Sequence, residues 1–393
     1  MNKIERLLQE YCPNGVEWKS LGEVVTPIAA STKLNRSEYK REGTIPIIDQ
    51  GTDFIAGYTD ETFIPIKSDT YILFGDHSEH IKYVDFAFIQ GADGLKILKP
   101  NEGSAKYIYY AFINFYRKQQ NYKRHWSIAK ETLIPLPPLP VQEEIVRILD
   151  KFTTLEAELE AELEARKKQY EYYRDNLLTF GDEVEWKPLG EVGTFVRGNG
   201  LQKKDLTTSG IPAIHYGQIY TYYGVSVEQT ISFVTPETAK GLKKVDYGDV
   251  IITNTSENLE DVGKAVFYSV KEQGVIGGHA TIFQPSKEII GKYLVYYTQT
   301  AEFSNQKRKY AKGTKVIDVS ANDLAKIMIP IPYPNDTEKS LEEQARIVAI
   351  LDKFDTLVNS ISEGLPKEIE LRRKQYEYYR DRLLSFPKHE VTA

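Results

Sequence analysis

The sequence predicts an α+β protein with a pseudo-twofold internal repeat, in which two β-rich domains are separated by two long antiparallel, coiled-coil-like helices. Three observations predict it. The octapeptide KQYEYYRD occurs at Lys168–Asp175 and again at Lys374–Asp381, and each copy closes a repeat that begins with ILDKF, at Ile148–Phe152 and Ile350–Phe354. VEWKSLGEV at Val16–Val24 and VEWKPLGEV at Val184–Val192 open the two copies. Between VEWK and KQYEYYRD the copies diverge almost completely. A shared frame with two unlike inserts suits a protein that reads two different things in a fixed geometry.

Four segments follow in order. Residues 1–138 form a first variable domain, introduced by an amphipathic helix at Ile4–Tyr11. Residues 139–181 form one long helix, with Pro140 in its first turn and Glu143 and Glu144 complementing its N-terminal dipole. Its apolar stripe runs through Leu149, Phe152, Leu155, Leu159, Leu163, Tyr170, Tyr173, Leu177 and Phe180, at steps of mostly three and four residues, and seeks a partner helix. Residues 182–336 form the second variable domain. Residues 337–393 form the second helical segment, opened by a capping box at Ser340 and Glu343. Its stripe runs Ile347, Leu351, Phe354, Leu357, Ile361, Ile369, Tyr376, Tyr379, Leu383 and Phe386. Gly364 and Pro366 predict a kink or restart within it. Matching stripes favour antiparallel pairing of the two helices with one domain at each end.

Inside the domains, short runs rich in β-branched and aromatic residues predict strands: 211–215, 250–253, 264–268 and 281–284 in the second. The first domain carries matching blocks in the same order, with TIPIIDQG at 44–51 against GIPAIHYG at 210–217, and 71–74 against 250–253. Short helices are expected at 107–115 and 292–300. Proline-rich strands, LIPLPPLP and IMIPIPYP, then lead into the long helices.

At 393 residues the chain is long enough for two domains with cores. A single cysteine, Cys12, excludes an intramolecular disulfide framework and favours a reducing compartment. With neither a run of ~18 apolar residues nor an N-terminal apolar segment, the chain is expected to be cytoplasmic, without a membrane partner. Net charge is −6, from 50 Lys and Arg against 56 Asp and Glu, so a basic surface, if present, is local. Two acid-free stretches each carry five cations. They are Arg117, Lys118, Lys123, Arg124 and Lys130, and Lys307, Arg308, Lys309, Lys312 and Lys315.

Catalytic signatures are missing. There is no G-x-x-x-x-G-K-[ST] for ATP, and Gly198-Asn199-Gly200 lacks the third glycine and βαβ context of a nucleotide loop. Glu17-Trp18-Lys19 and Glu185-Trp186-Lys187 have the E-x-K form of some metal nucleases but no partner Asp upstream. Their duplication points to packing of each domain onto the helices. The six His show no metal-ligand spacing, so no catalytic, metal or cofactor site is assigned. The two basic stretches are the positive signal: cations neutralise phosphates, and the interleaved Tyr116, Tyr122, His125, Trp126 and Tyr310 can pack on sugars or bases. Base-reading candidates are polar residues beside the aligned strand blocks. In the first domain these are Asn35, Arg36, Asp49, Gln50, Asp76, His77 and Asp93; in the second, Gln202, Lys203, His215, Tyr216, Gln218, Asn254, Ser256 and His279. A turn-capping role is the competing explanation for each of them.

Taken together, the paired IVRILDKF…RKKQYEYYRDNLLTF and IVAILDKF…LRRKQYEYYRDRLLSF blocks and the IPLPPLPVQEEI junction resemble the specificity subunits of type I restriction–modification systems, over essentially the whole chain. EAEL at 156–159 and 160–163 is similar to the repeated tetrapeptide of one subgroup, in which Thr usually stands first. The resemblance implies two target-recognition domains on a helical spacer and a non-catalytic chain that binds double-stranded DNA. It implies assembly with two methyltransferase subunits and with restriction (translocase) subunits, on which S-adenosylmethionine, ATP and Mg are expected. Competing readings are a coiled-coil scaffold whose end domains bind proteins, which the acidic net charge would suit, and the recognition chain of a related system that does not translocate.

Overall fold

The computed structural model describes residues 3–60, 63–181, 184–360 and 362–386. Ile361 of the second stripe and the segment ends at 1, 182 and 393 lie outside the described residues. The chain divides into two compact units, Met1–Glu158 with Glu370–Ala393, and Leu159–Ile369.

In the first unit, Val25–Ile28, Leu95–Pro100, Tyr71–Gly75 and Ile81–Val84 form an antiparallel sheet in that order. In a second sheet Ile45–Ile48 lies between Gly57–Thr59, antiparallel, and Ile89–Gln90, parallel. The second unit repeats this plan with more strands. Gly193–Arg197, Ala280–Pro285, Val250–Thr253, Ala265–Tyr268 and Ser226–Val227 form one sheet, and Ile211–Ile214 lies between Phe233–Val234 and Gly274–Ile276 in another. The aligned sequence blocks therefore hold matching places: Ile47 and Ile48 pair in parallel with Ile89 and Gln90, as Ala213 and Ile214 do with Val275 and Ile276.

The VEWK motifs become edge ribbons. Trp18–Ser20 pairs with Leu133–Pro135, and Val184–Pro188 with Met328–Pro332. Their lysines run to acids just ahead of each domain's helix, Lys19 to Glu102 at 2.8 Å and Lys187 to Glu288 at 2.9 Å. The lysines thus tie within the domain, while Val16 and Trp18 of the first motif pack in the core that contains Val141, Ile145 and Leu149 of the long helix, as expected.

The central helix spans Leu139–Leu177, 39 residues, and is shorter at its end than the sequence suggested. In the second segment Thr337–Asn359 and Gly364–Leu384 are separate helices, the restart expected at Gly364 and Pro366. Gly364 has φ +78°, and a Cβ there would collide with the Thr356 carbonyl oxygen. The capping box at Ser340 is corrected: Asp336 is the N-cap, accepting from the Lys339 amide at 3.0 Å. Ser340 lies buried one turn inside, where its hydroxyl accepts from Gln344.

Both units pair the helices antiparallel. In the first, Phe152 meets Tyr379 and Glu156 pairs with Arg373 at 2.7 Å. In the second, Phe354 meets Tyr170 and Tyr173. Further along, Leu163 lines a surface groove with Pro366 and Ile369. Of the stripe residues, Leu149, Tyr170 and Leu351 are buried in the unit cores, with Phe354, Leu357 and Tyr376 packed against them. Leu155 and Leu159 are half-buried.

Each domain docks on its helix through one repeated set of contacts. In the first unit, Tyr110 donates to Asp150 at 2.7 Å and Lys106 pairs with the same carboxylate at 2.9 Å. Tyr296 and Lys292 do the same to Asp352 in the second. Gln142 accepts from the Ser104 amide at 2.8 Å and Gln344 from the Ile290 amide at 2.9 Å, each at the start of the domain helix. Burial and then the aspartate raise the pKa of Tyr110 and Tyr296, so both phenols stay protonated and donate.

Candidate nucleic-acid interface

The first basic stretch is a loop between the helix Ala105–Phe115 and the short helix Trp126–Ala129. Two buried carboxylates from one turn fix it. Glu79, at φ +56°, accepts from Tyr116 at 2.5 Å and from the amides of Gln119 and Gln120 at 2.8 and 2.9 Å. Burial opposes its ionisation, but these donors outweigh it and hold the carboxyl below its ordinary range. Asp76 accepts from the amides of His125 and Trp126 at 2.9 and 2.8 Å, capping the short helix. Arg117, Lys118, Lys123 and Arg124 are exposed and, among the described residues, form no ion pair. Lys130 is exposed and lies 3.5 Å from Glu131.

In the second unit the matching stretch runs from the end of the helix Ala301–Arg308 to the short helix Ala321–Leu324. Arg308, Lys309 and Lys315 are exposed there. Lys312 is exposed but pairs with Asp323, whose carboxyl is pulled down to about 2 chiefly by Lys326, then by Ser320 and Lys312. Lys307 departs from the phosphate-contact expectation. It is buried, and its ammonium donates to the carbonyls of Val262 at 2.6 Å and Glu260 at 3.2 Å. Burial lowers its pKa to about 8. It also lines a cavity of about 410 Å³ of mixed charge, beside Arg174, Asp261, Lys264 and Asp355.

Asp76, Asn254 and Ser256, expected as base readers, are buried anchors, whereas Asp49, Gln50 and Gln218 are half-buried with local hydrogen bonds. Asn254 is fully buried: it donates to the Val319 carbonyl at 2.8 Å and accepts from Thr281 at 2.6 Å. It thereby holds the chain just ahead of the short helix, as Asp76 does in the first unit. A polar residue ending a central strand points into the space behind the basic stretch, and burial there requires a full set of partners. Ser256 is buried and accepts from the Asn258 amide, and Asp49 accepts from the Gly51 amide at 2.8 Å. Gln50 is split between the Asp93 carbonyl and the His77 amide, and Gln218 between the His215 amide and Ser232.

The remaining candidates keep an open face. Asn35, Arg36, Gln202 and Lys203 are exposed around short 3-10 turns, and Asp93 is exposed beside Lys33. His279 is exposed, its Nδ1 fixed by Thr255 at 2.9 Å, and Tyr216 lies between the rings of His215 and His279. Burial, followed by the neighbouring His279, lowers the His215 pKa. His77 stacks on Tyr122. Among the described residues no group of His, Cys, Asp or Glu is arranged to hold a metal ion, and no helix is long and apolar enough to cross a membrane.

The docking residues Lys106, Tyr110, Lys292 and Tyr296 were not singled out from sequence. Their signal was present as KYIYY at 106–110 against KYLVYY at 292–297, a Lys-x-x-x-Tyr spacing that puts both groups on one helix face.

A scaffold with two unlike sheet domains, each on a copy of one helical frame and each displaying a cationic stretch, defines a two-site recognition protein. Residues 13–165 and 181–371 match the family described as type I restriction modification DNA specificity domain. The chain belongs to that family, the non-catalytic specificity subunits of type I restriction–modification systems. It is 37% identical to the EcoR124I/EcoR124II specificity subunit of Escherichia coli, over 100% of this chain and 99% of that one. It is 31% identical to a putative type I specificity subunit of Haemophilus influenzae over 98% of each. The crystal structure of the type I S subunit from M. genitalium shares the fold, with TM-score 0.57, 16% identity, and coverage of 94% of this chain and 96% of that one.

Proposed function

We propose that this chain reads a bipartite, asymmetric target in double-stranded DNA, one half-site per unit, and directs two methyltransferase subunits and the restriction subunits to it. The observation that carries this reading is the pair of exposed cationic stretches at matching places in two otherwise divergent domains of a specificity-subunit chain. Exposed Lys and Arg supply phosphate contacts that set register, while unlike polar surfaces beside them supply different base preferences. Two equivalent helical surfaces suit two copies of one partner. S-adenosylmethionine, ATP and Mg are assigned to those partners, the tetrapeptide EAEL to the subgroup that carries such repeats, and the assembly to the cytoplasm. Mapping methylated bases in cells that carry this chain with its methyltransferase tests the reading. A split sequence with two different halves is expected. Replacing residues 20–138 by another such domain should change one half only, and loss of both halves in a well-folded hybrid would contradict it.

A further inference from the structure

The first unit's basic loop carries at its tip Tyr122, 87% exposed, the highest value for any large apolar or aromatic side chain among the described residues. One face of its ring lies on His77, with centroids 5.1 Å apart and planes inclined by 20°. The other face is open to solvent. His77 is itself placed by its amide donating to Gln50, its Nδ1 is buried with no hydrogen-bond partner, and its ring stacks on Tyr122.

The loop is not slack. Beyond the Glu79 and Asp76 anchors, Gln120 has φ +54°, a conformation that side-chain-bearing residues adopt only when their surroundings fix it. The Asn121 carbonyl bonds His125 Nε2 at 2.8 Å and accepts from the Lys123 amide at 3.1 Å. Lys123 and Arg124 follow the tyrosine directly, and Arg117 and Lys118 precede it, so an open aromatic face is presented amid four exposed cations. A fixed aromatic ring surrounded by phosphate-binding charge is matched to a base step of duplex DNA. The matching stretch of the second unit shows Val316 exposed after the Gly313 turn, with no aromatic ring at its tip.

Resting on the reading above, we propose that Tyr122, backed by His77, inserts at a base step of the first half-site and unstacks it, so that the two halves of the target are deformed unequally. The physical basis is that a side chain wedged between bases exchanges base–base stacking for base–aromatic stacking, opens the step on the side it enters and kinks the duplex away from that side. Cations on either side hold the phosphates that flank the opened step.

The test uses the full chain with its methyltransferase and duplexes of the mapped target. These carry 2-aminopurine at successive positions other than the methylated base. The expected result is a rise in fluorescence at one step of the first half-site, absent from the second half-site. Tyr122→Ala should abolish that rise and weaken target binding about tenfold, while Tyr122→Phe retains both and the half-site sequences stay the same. A wild-type complex that prefers its target yet shows no such rise overturns the wedge and leaves the reading intact, as does a Tyr122→Ala complex with an unchanged rise. A complex with no preference for its target over random DNA overturns the reading and the wedge together.

Discussion

Tyr379 lies stacked on Phe152, ring centroids 5.4 Å apart and planes inclined by 22°. Its counterpart pair, Tyr173 on Phe354, has the same 5.4 Å separation at 23°. The ILDKF of each repeat therefore packs on the KQYEYYRD of the other, which is why both motifs had to be duplicated together. Phe152→Ala should destabilise the first unit by roughly 2 kcal/mol. A double-mutant cycle with Tyr379→Ala in urea unfolding should give a coupling of about 1 kcal/mol. A coupling near zero would mean that the stack is incidental.

The shared carboxylates predict a domain-specific effect. Asp150→Ala removes the acceptor of Tyr110 and the counter-ion of Lys106 at once. The loss should cost roughly 1–3 kcal/mol and impair recognition of the first half-site only, with Asp352→Ala as the mirror case. Tyr110→Phe should share most of the stability loss, which calorimetry would show.

Lys307 and its neighbours separate stability from DNA contact. Changing exposed Arg308, Lys309 and Lys315 to Ala should weaken target and non-target binding alike. The salt dependence should fall by about one unit of log–log slope for each phosphate that is no longer neutralised. Lys307→Met should leave that slope alone and lower unfolding stability by roughly 1–3 kcal/mol, since the buried Val262 carbonyl and the Glu260 carbonyl lose their donor. Filter-binding titrations across salt concentrations discriminate the two sets.

A pH dependence follows from Glu144. The Arg147 guanidinium, then Lys3 of the N-terminal helix Lys3–Tyr11, hold its carboxyl at about 2 against the opposing effect of burial. The folded state therefore binds this proton more weakly than the unfolded state. The contribution to stability is fully present above the usual glutamate range near 4.5 and is lost as pH falls towards about 2. Glu144→Gln should flatten the acid limb of the stability curve over that window and leave its shape at neutral pH unchanged. Denaturant midpoints from pH 2 to 7 measure this, and an unaltered limb would contradict it.

The tetrapeptide offers a length test. Four residues are close to one helical turn, so one extra EAEL after Leu163 lengthens the central helix by ~6 Å while nearly keeping its apolar phase. The methylated target should then carry a gap longer by about one or two base pairs at ~3.4 Å each, with both halves unchanged. Methylation mapping of the insertion variant reads this directly.

The repeats made the helical frame legible, because a stripe at three- and four-residue steps and its duplicate fix both the partner and the direction of pairing. The strand blocks were legible too, as alternating apolar runs bounded by turns. The site was harder to read. Lys307 counts as a surface charge along the sequence, yet it lies four residues after buried Phe303 on one helix, and that phase put it inside. Asp76 and Asn254 have the chemistry of base readers, but each follows a fully buried strand, where a polar group is more useful as an anchor. Tyr122 was legible as an aromatic among cations, but that it is exposed while Tyr116 and His125 are buried depends on carboxylates more than thirty residues upstream, Asp76 and Glu79.

The first unit takes its closing helix from Glu370–Ala393, whereas the second is one continuous stretch. Leu384 and Phe386 are buried in the first unit's core, beside Val16, Ile145 and Leu149. During synthesis, the domain that leaves the ribosome first thus waits for the last helix made, and holds an open apolar face until it arrives. The second has its whole complement as soon as residue 369 emerges. Nascent chains stalled there should protect the second unit from protease and leave the first exposed to chaperones, so that late truncations injure the earlier-made half of the molecule.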